Sequence, residues 1–386
     1  MLPALTPEEA LHSAALANLV RTRIRECGGA ITFDTFMELA LYAPGLGYYS
    51  AGSLKLGSGG DFVTAPELSD LFSRCVARQC GEILAHTGGD ILELGAGTGR
   101  LAATVLQTLA SEGTLPQRYA ILEVSADLAQ RQRERLAALP PSLRKRVEWL
   151  DRLPETAFSG VILANEVLDA LPVSRFTLQH DGQIRECGVR WTSQGFAACD
   201  LPASPGLGHA VREIIAALPE PLPEGYRSEV CLRVEPWIGG LAESLQRGVM
   251  LLFDYGLPRS HYYHPQRVDG TLRCHFKQRA HDDPFINPGV QDITAWVDFT
   301  RVAEGAVAAD LEVLGFATQA GFLLATGIEA LLAGAPDELQ RLRLAGEARR
   351  LLLPGEMGEA VKVMALGRDH HVPLSGFTVQ DLRRSL

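Results

Sequence analysis

The stretch that most restricts this chain is DILELGAGTGRLAATVLQTLA, residues 90–110. It reads as a strand, a glycine turn and a helix in immediate succession, the opening unit of a parallel sheet with helices on its faces. The rest of the chain keeps that rhythm. RYAILEVS is a second strand, followed by the charged helix ADLAQRQRERLAAL; RVEWLD is a third, GVILANE a fourth and GVMLLFDYG a fifth. ADLEVLGFATQAGF and AVKVMALGR supply two more, which makes a mostly parallel, doubly wound α/β sheet of seven strands.

Other segments stand outside this alternation. Residues 7–26 read as a helix with Leu11, Ala14, Ala15, Leu19 and Ile24 on its apolar side. ITFDTFMELALY reads as a second helix capped by Thr32 or Asp34. Glycines at 45, 47, 52, 57, 59 and 60 then mark a long irregular loop of the kind that tends to carry function. A helix over roughly 67–86 leads into the first strand of the sheet. Residues 175–246 interrupt the sheet with alternating segments around a His-Asp-Gly hairpin turn and a Pro-rich link.

The glycine turn selects the ligand. A dinucleotide fingerprint needs a third glycine where Arg100 stands, whereas here it falls at Gly99. Gly95, Gly97 and Gly99 let the backbone approach a ligand closely, and Glu93 before them favours a cationic amino-acid group over a pyrophosphate. Glu123 ends the second strand, 24 residues after Gly99, where a carboxylate can accept both ribose hydroxyls. Together these point to S-adenosyl-L-methionine.

Charge and composition remove several classes. With 46 acidic against 36 basic residues and a net charge of −10, a bulk electrostatic grip on nucleic acid is disfavoured. The longest apolar runs fall short of the ~20 residues of a membrane span. Seven dispersed cysteines without a C-x-x-C pair read as reduced thiols, so cytoplasm is the default compartment. No metal is expected, because Cys274, His275 and His281 lack a further ligand at a suitable spacing.

Six stretches in chain order resemble the successive motifs of the MidA-like S-adenosylmethionine-dependent methyltransferases. They are GDFVTAPELS (60–69), ELGAGTGRL (93–101), NEVLDALPV (165–173), FDYG (253–256), GTLRCHF (270–276) and PGVQDITAWVDF (288–299). These enzymes are relatives of a mitochondrial complex I assembly factor that methylates a protein arginine. The resemblance implies a class I methyltransferase: a Rossmann-like seven-stranded sheet, an N-terminal helical and loop extension, and a β-rich insertion between the fourth and fifth strands. The corresponding segments are 1–66 for the extension, 67–174 for the first part of the catalytic domain, 175–246 for the insertion and 247–386 for the remainder. A protein side chain, arginine in the mitochondrial relative, is the implied acceptor. Two other readings stay open: a methyltransferase acting on RNA or a small molecule, and a cofactor-binding assembly factor without essential catalysis.

Why the buried strand GVILANE runs into Asn165, Glu166 and Asp169 has two answers. A helix N-terminus with first-turn carboxylates is one. The other follows from the fold, since ligands sit at the carboxyl ends of parallel strands. Asn165 and Glu166 then face the transferable methyl group, and Glu166 or Asp169 could hold a guanidinium in a two-bond fork. Asp254 and Tyr255, ending the fifth strand, complete the expected catalytic edge. Glu93, Gly95, Gly97, Gly99, Glu123 and Asn165 are the expected cofactor contacts, with Asp61, Phe62 and Thr64 folding over it as a lid. His281, Asp292, Thr294 and Asp298 fall in the later motifs, where an orienting group or a plain structural hydrogen bond fits equally. HYYH at 261–264 reads as an exposed loop.

Overall fold

The computed structural model describes residues 2–51 and 64–386. In chain order its strands are β1 (Ala30–Thr32), β2 (Asp90–Leu94), β3 (Tyr119–Leu122), β4 (Val147–Leu150), β5 (Phe158–Asn165), β6 (Ser174–Leu178), β7 (Ile184–Thr192) and β8 (Gly195–Pro202). β9 (Arg227–Val230), β10 (Leu245–Leu257), β11 (Arg273–Phe276), β12 (Arg279–His281), β13 (Asp292–Thr294), β14 (Val297–Asp298), β15 (Glu312–Thr318) and β16 (Val361–Arg368) follow.

The main sheet runs β15-β16-β10-β5-β2-β3-β4, with the two-residue β14 beside the end of β10 as an eighth strand. β4, β3, β2, β5 and β10 are parallel, and β16 is antiparallel to both its neighbours. Alternate residues feed two cores. Ile91, Val161, Leu163, Val249 and Leu251 pack under the helices Asp70–Thr87 and Arg100–Glu112. Leu92, Ile162, Ala164, Met250 and Leu252 pack under Val234–Ser244 and Phe299–Ala308. Burial on both faces is why the centres of β5 (160–164) and β10 (248–253) are unbroken apolar runs. The strand order reverses between β2 and β5, so a crevice opens at the carboxyl ends of these two strands.

A second, antiparallel sheet, β1-β7-β6-β9 with β8 on β7, accounts for the alternating segments after residue 174. Its β6–β7 turn spans His180, Asp181 and Gly182, the last at φ +77°. The strands end at Val230, and Val234–Ser244 returns to the main sheet as a helix. β11, β12 and β13 form a third, small sheet. No helix among the described residues is long and apolar enough to cross a membrane.

Local readings that looked only along the chain erred where distant packing decides. Ile31, at the start of the stretch read as a helix, lies instead in β1 and pairs with Val189 of β7, and the helix begins at Phe33 with Thr32, one of the two expected caps, as N-cap. The helix Pro7–Glu26 buries Ser13, Leu16, Val20 and Ile24, leaving Leu11 and Leu19 outside. Its apolar content is nearly all round, so the neighbouring strand and helix, not the pattern, choose the face. Within HYYH the two tyrosines are buried while His261 is exposed: the Tyr263 hydroxyl donates to Glu229 O at 2.9 Å and the Tyr262 hydroxyl shares a 3.1 Å bond with Thr271. Each phenol reaches a polar partner while its ring fills the core beside the second sheet.

Candidate active site

The turn after β2 places Gly95, Gly97 and Gly99 at φ +60°, +55° and +81°, a region that side-chain-bearing residues enter at a cost. The Gly95 N–H donates to Leu122 O at 3.0 Å, tying the turn to the end of β3. Behind it Glu93 is buried and accepts the Tyr119 hydroxyl at 2.6 Å; burial pushes its carboxyl up to about 7. At the end of β3, Glu123 is oriented from two sides. Its Oε1 accepts the Ser125 N–H at 2.8 Å and its Oε2 accepts Gln132 Nε2 at 2.8 Å.

Across the switch point β5 ends in Asn165 and Glu166. Glu166 has φ +53°, a strained conformation for a residue with a side chain. Its N–H donates to Phe253 O at 2.8 Å, its carboxylate accepts the Ala65 N–H, and Asn165 Nδ2 lies 3.4 Å from its Oε1. Burial, reinforced by the charge of Asp254, pushes the Glu166 carboxyl up to about 8.

These groups surround one cleft of about 480 Å³, within the range of small-molecule sites. Glu93, Gly95, Gly97, Glu123, Asn165, Glu166 and Thr64 all border it. Gly99 lies one step behind, starting the helix Arg100–Glu112, where an added Cβ would stand 3.3 Å from the Gln132 backbone. Asp61 and Phe62, expected as a lid, lie outside the described residues.

Two of the expected catalytic carboxylates sit beneath the cleft and do not line it. Asp254 is fully buried, and its Oδ2 accepts the N–H groups of Val167, Leu168 and Asp169 at 3.1, 2.8 and 3.3 Å. Its Oδ1 accepts the Tyr255 N–H at 2.8 Å. With its lone pairs aimed at backbone donors, it anchors the loop rather than meeting a ligand. Asp169 is buried next to it, and burial, then the charges of Asp254 and Glu166, hold its carboxyl well above the usual range.

Among the residues of the later motifs, Asp292 joins this group: it accepts the Tyr49 hydroxyl at 3.0 Å and its charge acts on Glu166 and Asp169. Asp298 instead caps the helix Phe299–Ala308 and lies 3.4 Å from Arg259. His281 pairs with Cys274 in the β11–β12 ladder, and Thr294 with Arg273 in β11–β13.

Sequence reading missed Tyr42, Tyr49 and Trp237, which also border the cleft. Tyr42 and Tyr49 stack with ring centroids 5.5 Å apart, and the Tyr42 hydroxyl donates to Ala170 O at 2.9 Å. Each is a polar-tipped aromatic beside a glycine-rich turn, a pattern that does not itself separate a wall residue from a core residue. Trp237 escaped because its helix follows an inserted sheet and looked like part of it.

A family model described as "Putative S-adenosyl-L-methionine-dependent methyltransferase" matches residues 75–317. The chain is similar to a superfamily member from Burkholderia thailandensis crystallised with S-adenosyl-homocysteine, with a TM-score of 0.94 and 40% identity over 100% of both chains. It is also similar to the mitochondrial protein arginine methyltransferase NDUFAF7 homologue of Drosophila melanogaster, 29% identical over 91% of this chain and 84% of the relative. The Mus musculus protein arginine methyltransferase NDUFAF7 is 29% identical over 88% and 81%.

Proposed function

Because the chain belongs to this family of S-adenosyl-L-methionine-dependent methyltransferases, we propose that its methyl acceptor is an arginine side chain of a protein. One observation carries the acceptor class. Glu166 borders the cleft, its charge opposed by the neighbouring Asp254 and Asp292 and, among the described residues, in no ion pair with a Lys or Arg. The ionised form of a carboxyl buried in this way is costly, and a cationic acceptor entering the cleft would favour it. The names of the Drosophila and mouse relatives support the same acceptor.

The residues present fit the cofactor. Glu93, the glycine turn, Glu123 and Asn165 would hold S-adenosyl-L-methionine, which supplies an already activated sulfonium methyl. What the protein adds is alignment, worth on the order of 7–11 kcal/mol when complete. Glu166 borders the same cleft, and an entering guanidinium would favour its ionised form and meet two carboxylate oxygens in a planar fork. The carboxylate can then take the proton that the methylated nitrogen releases. Tyr42 and Tyr49 wall the acceptor side.

Labelled S-adenosylmethionine incubated with lysate and the purified protein tests the reading. Methylarginine recovered from hydrolysed protein is the expected result. Label in RNA or small molecules instead, or cofactor binding with no transfer at all, would overturn the acceptor assignment. We also propose a reducing compartment, the cytoplasm, on the strength of seven free thiols; fractionation in the source cell checks it.

A further inference from the structure

Gln132 sits in the helix Ala126–Leu136 between Arg131 and Arg133, where an amide reads as surface. It is instead fully buried. Its Nε2 donates to Gly97 O at 3.0 Å and to Glu123 Oε2 at 2.8 Å, and its Oε1 accepts the Trp149 indole N–H at 3.0 Å. An indole N–H only donates, while a carbonyl and an ionised carboxylate only accept, so a single orientation of the amide satisfies all three bonds. The Arg133 guanidinium covers the Trp149 ring at 5.0 Å and holds the indole in place.

We propose that Gln132 is a positioning residue for the cofactor. One amide joins the Gly97 carbonyl of the turn to the carboxylate at the end of β3, and so sets the spacing between the turn whose backbone the ligand approaches and the acid that would take its ribose hydroxyls. A neutral donor suits this place. It orients the Glu123 carboxylate without cancelling its charge, whereas a Lys or Arg would compete with the ligand for it. The inference rests on the cofactor reading and extends it to a residue that does not border the cleft.

The test is calorimetric titration with S-adenosyl-homocysteine, plus steady-state kinetics, on wild type, Gln132→Met, Glu123→Ala and the double variant. Gln132→Met keeps the length and loses the bonds. It should weaken binding about tenfold and raise KM for S-adenosylmethionine by a similar factor with kcat within about twofold. Acting through Glu123, it should add less than about twofold to the loss already seen in Glu123→Ala. Gln132→Glu should bind poorly near pH 8 and recover toward pH 5.5, as the carboxyl gains a proton to donate. If Gln132→Met fails to fold, Trp149→Phe removes the donor that fixes the amide and should still weaken binding about threefold. Wild-type affinity in the variant that folds, or losses that add in the double variant, would overturn the proposal. Failure of the wild type to bind would overturn the cofactor reading instead.

Discussion

Asp254 Oδ2 accepts the Leu168 backbone N–H at 2.8 Å, joining the end of β10 to the loop that leaves β5. The same oxygen serves Val167 and Asp169, so the segment after Glu166 is held by a carboxylate on the neighbouring strand. Glu166 itself bonds Phe253 O. The strained backbone of Glu166 is therefore fixed on both sides by β10, as a conformation of that kind requires.

Asp254→Asn should destabilise the protein even though it removes no volume. An amide has one acceptor oxygen, and its NH₂ would face either the Tyr255 N–H or the three N–H groups of the loop. The expected cost is about 1.5–3 kcal/mol, read as a lower urea midpoint with unchanged slope. Methyl transfer should fall with it, because Glu166 loses its support. A variant with wild-type stability would show that the loop does not depend on this anchor.

Glu166 separates backbone from side chain. Glu166→Gln should bind S-adenosyl-homocysteine normally and lose turnover, since a neutral amide offers one acceptor and no charge to a guanidinium. Glu166→Gly adopts φ +53° freely, so its stability should stay within about 1 kcal/mol of wild type, the relief of strain offsetting the flexibility gained by the unfolded chain. It should be equally inactive. Full turnover in Glu166→Gln with intact binding would make this acid a structural group only.

Stability and activity should depend on pH in opposite directions. In the folded chain burial raises the carboxyls of Glu93 and Asp254 to about 7 and that of Glu166 to about 8, whereas in the unfolded chain they titrate near 4. Between about pH 4.5 and 8 the native state holds protons that the unfolded state has released, so stability falls as pH rises through that window. Melting temperatures of the ligand-free protein should decline from pH 5 toward pH 8. kcat/KM for the protein acceptor should rise over the upper part of that range as Glu166 ionises, and level off above it. A pH-independent melting temperature, or a kcat/KM that falls from pH 6 to 8, contradicts these assignments.

Gly97→Val should abolish cofactor binding while the chain still folds. Gly97 sits at φ +55°, where a β-branched side chain costs at least about 1–2 kcal/mol and pushes the turn away from the ligand. Glu123→Ala should leave the turn intact and weaken binding by roughly 1.5–3 kcal/mol, about 10- to 150-fold. Titration calorimetry distinguishes the two, and unchanged affinity in Gly97→Val would remove the turn from the binding site.

What the sequence determined by itself was whatever depends on neighbours along the chain. The order of strands, the glycine turn and the acids at the ends of β2, β3 and β5 are local patterns, because backbone periodicity and positive-φ glycines act over a few residues. Asn165, Glu166 and Glu123 were found on that basis. Tertiary structure alone decided which carboxylates face the cleft. Asp169 and Asp254 lie within a few residues of strand ends, as Glu166 does, yet both are covered and Asp254 is spent on four backbone N–H groups contributed by both its own strand and the loop after β5. Gln132 and the Tyr42–Tyr49 wall are legible only in three dimensions for the same reason. A buried polar group takes its meaning from the partners that satisfy it, and here those partners stand up to 243 residues away, as Asp292 does from Tyr49.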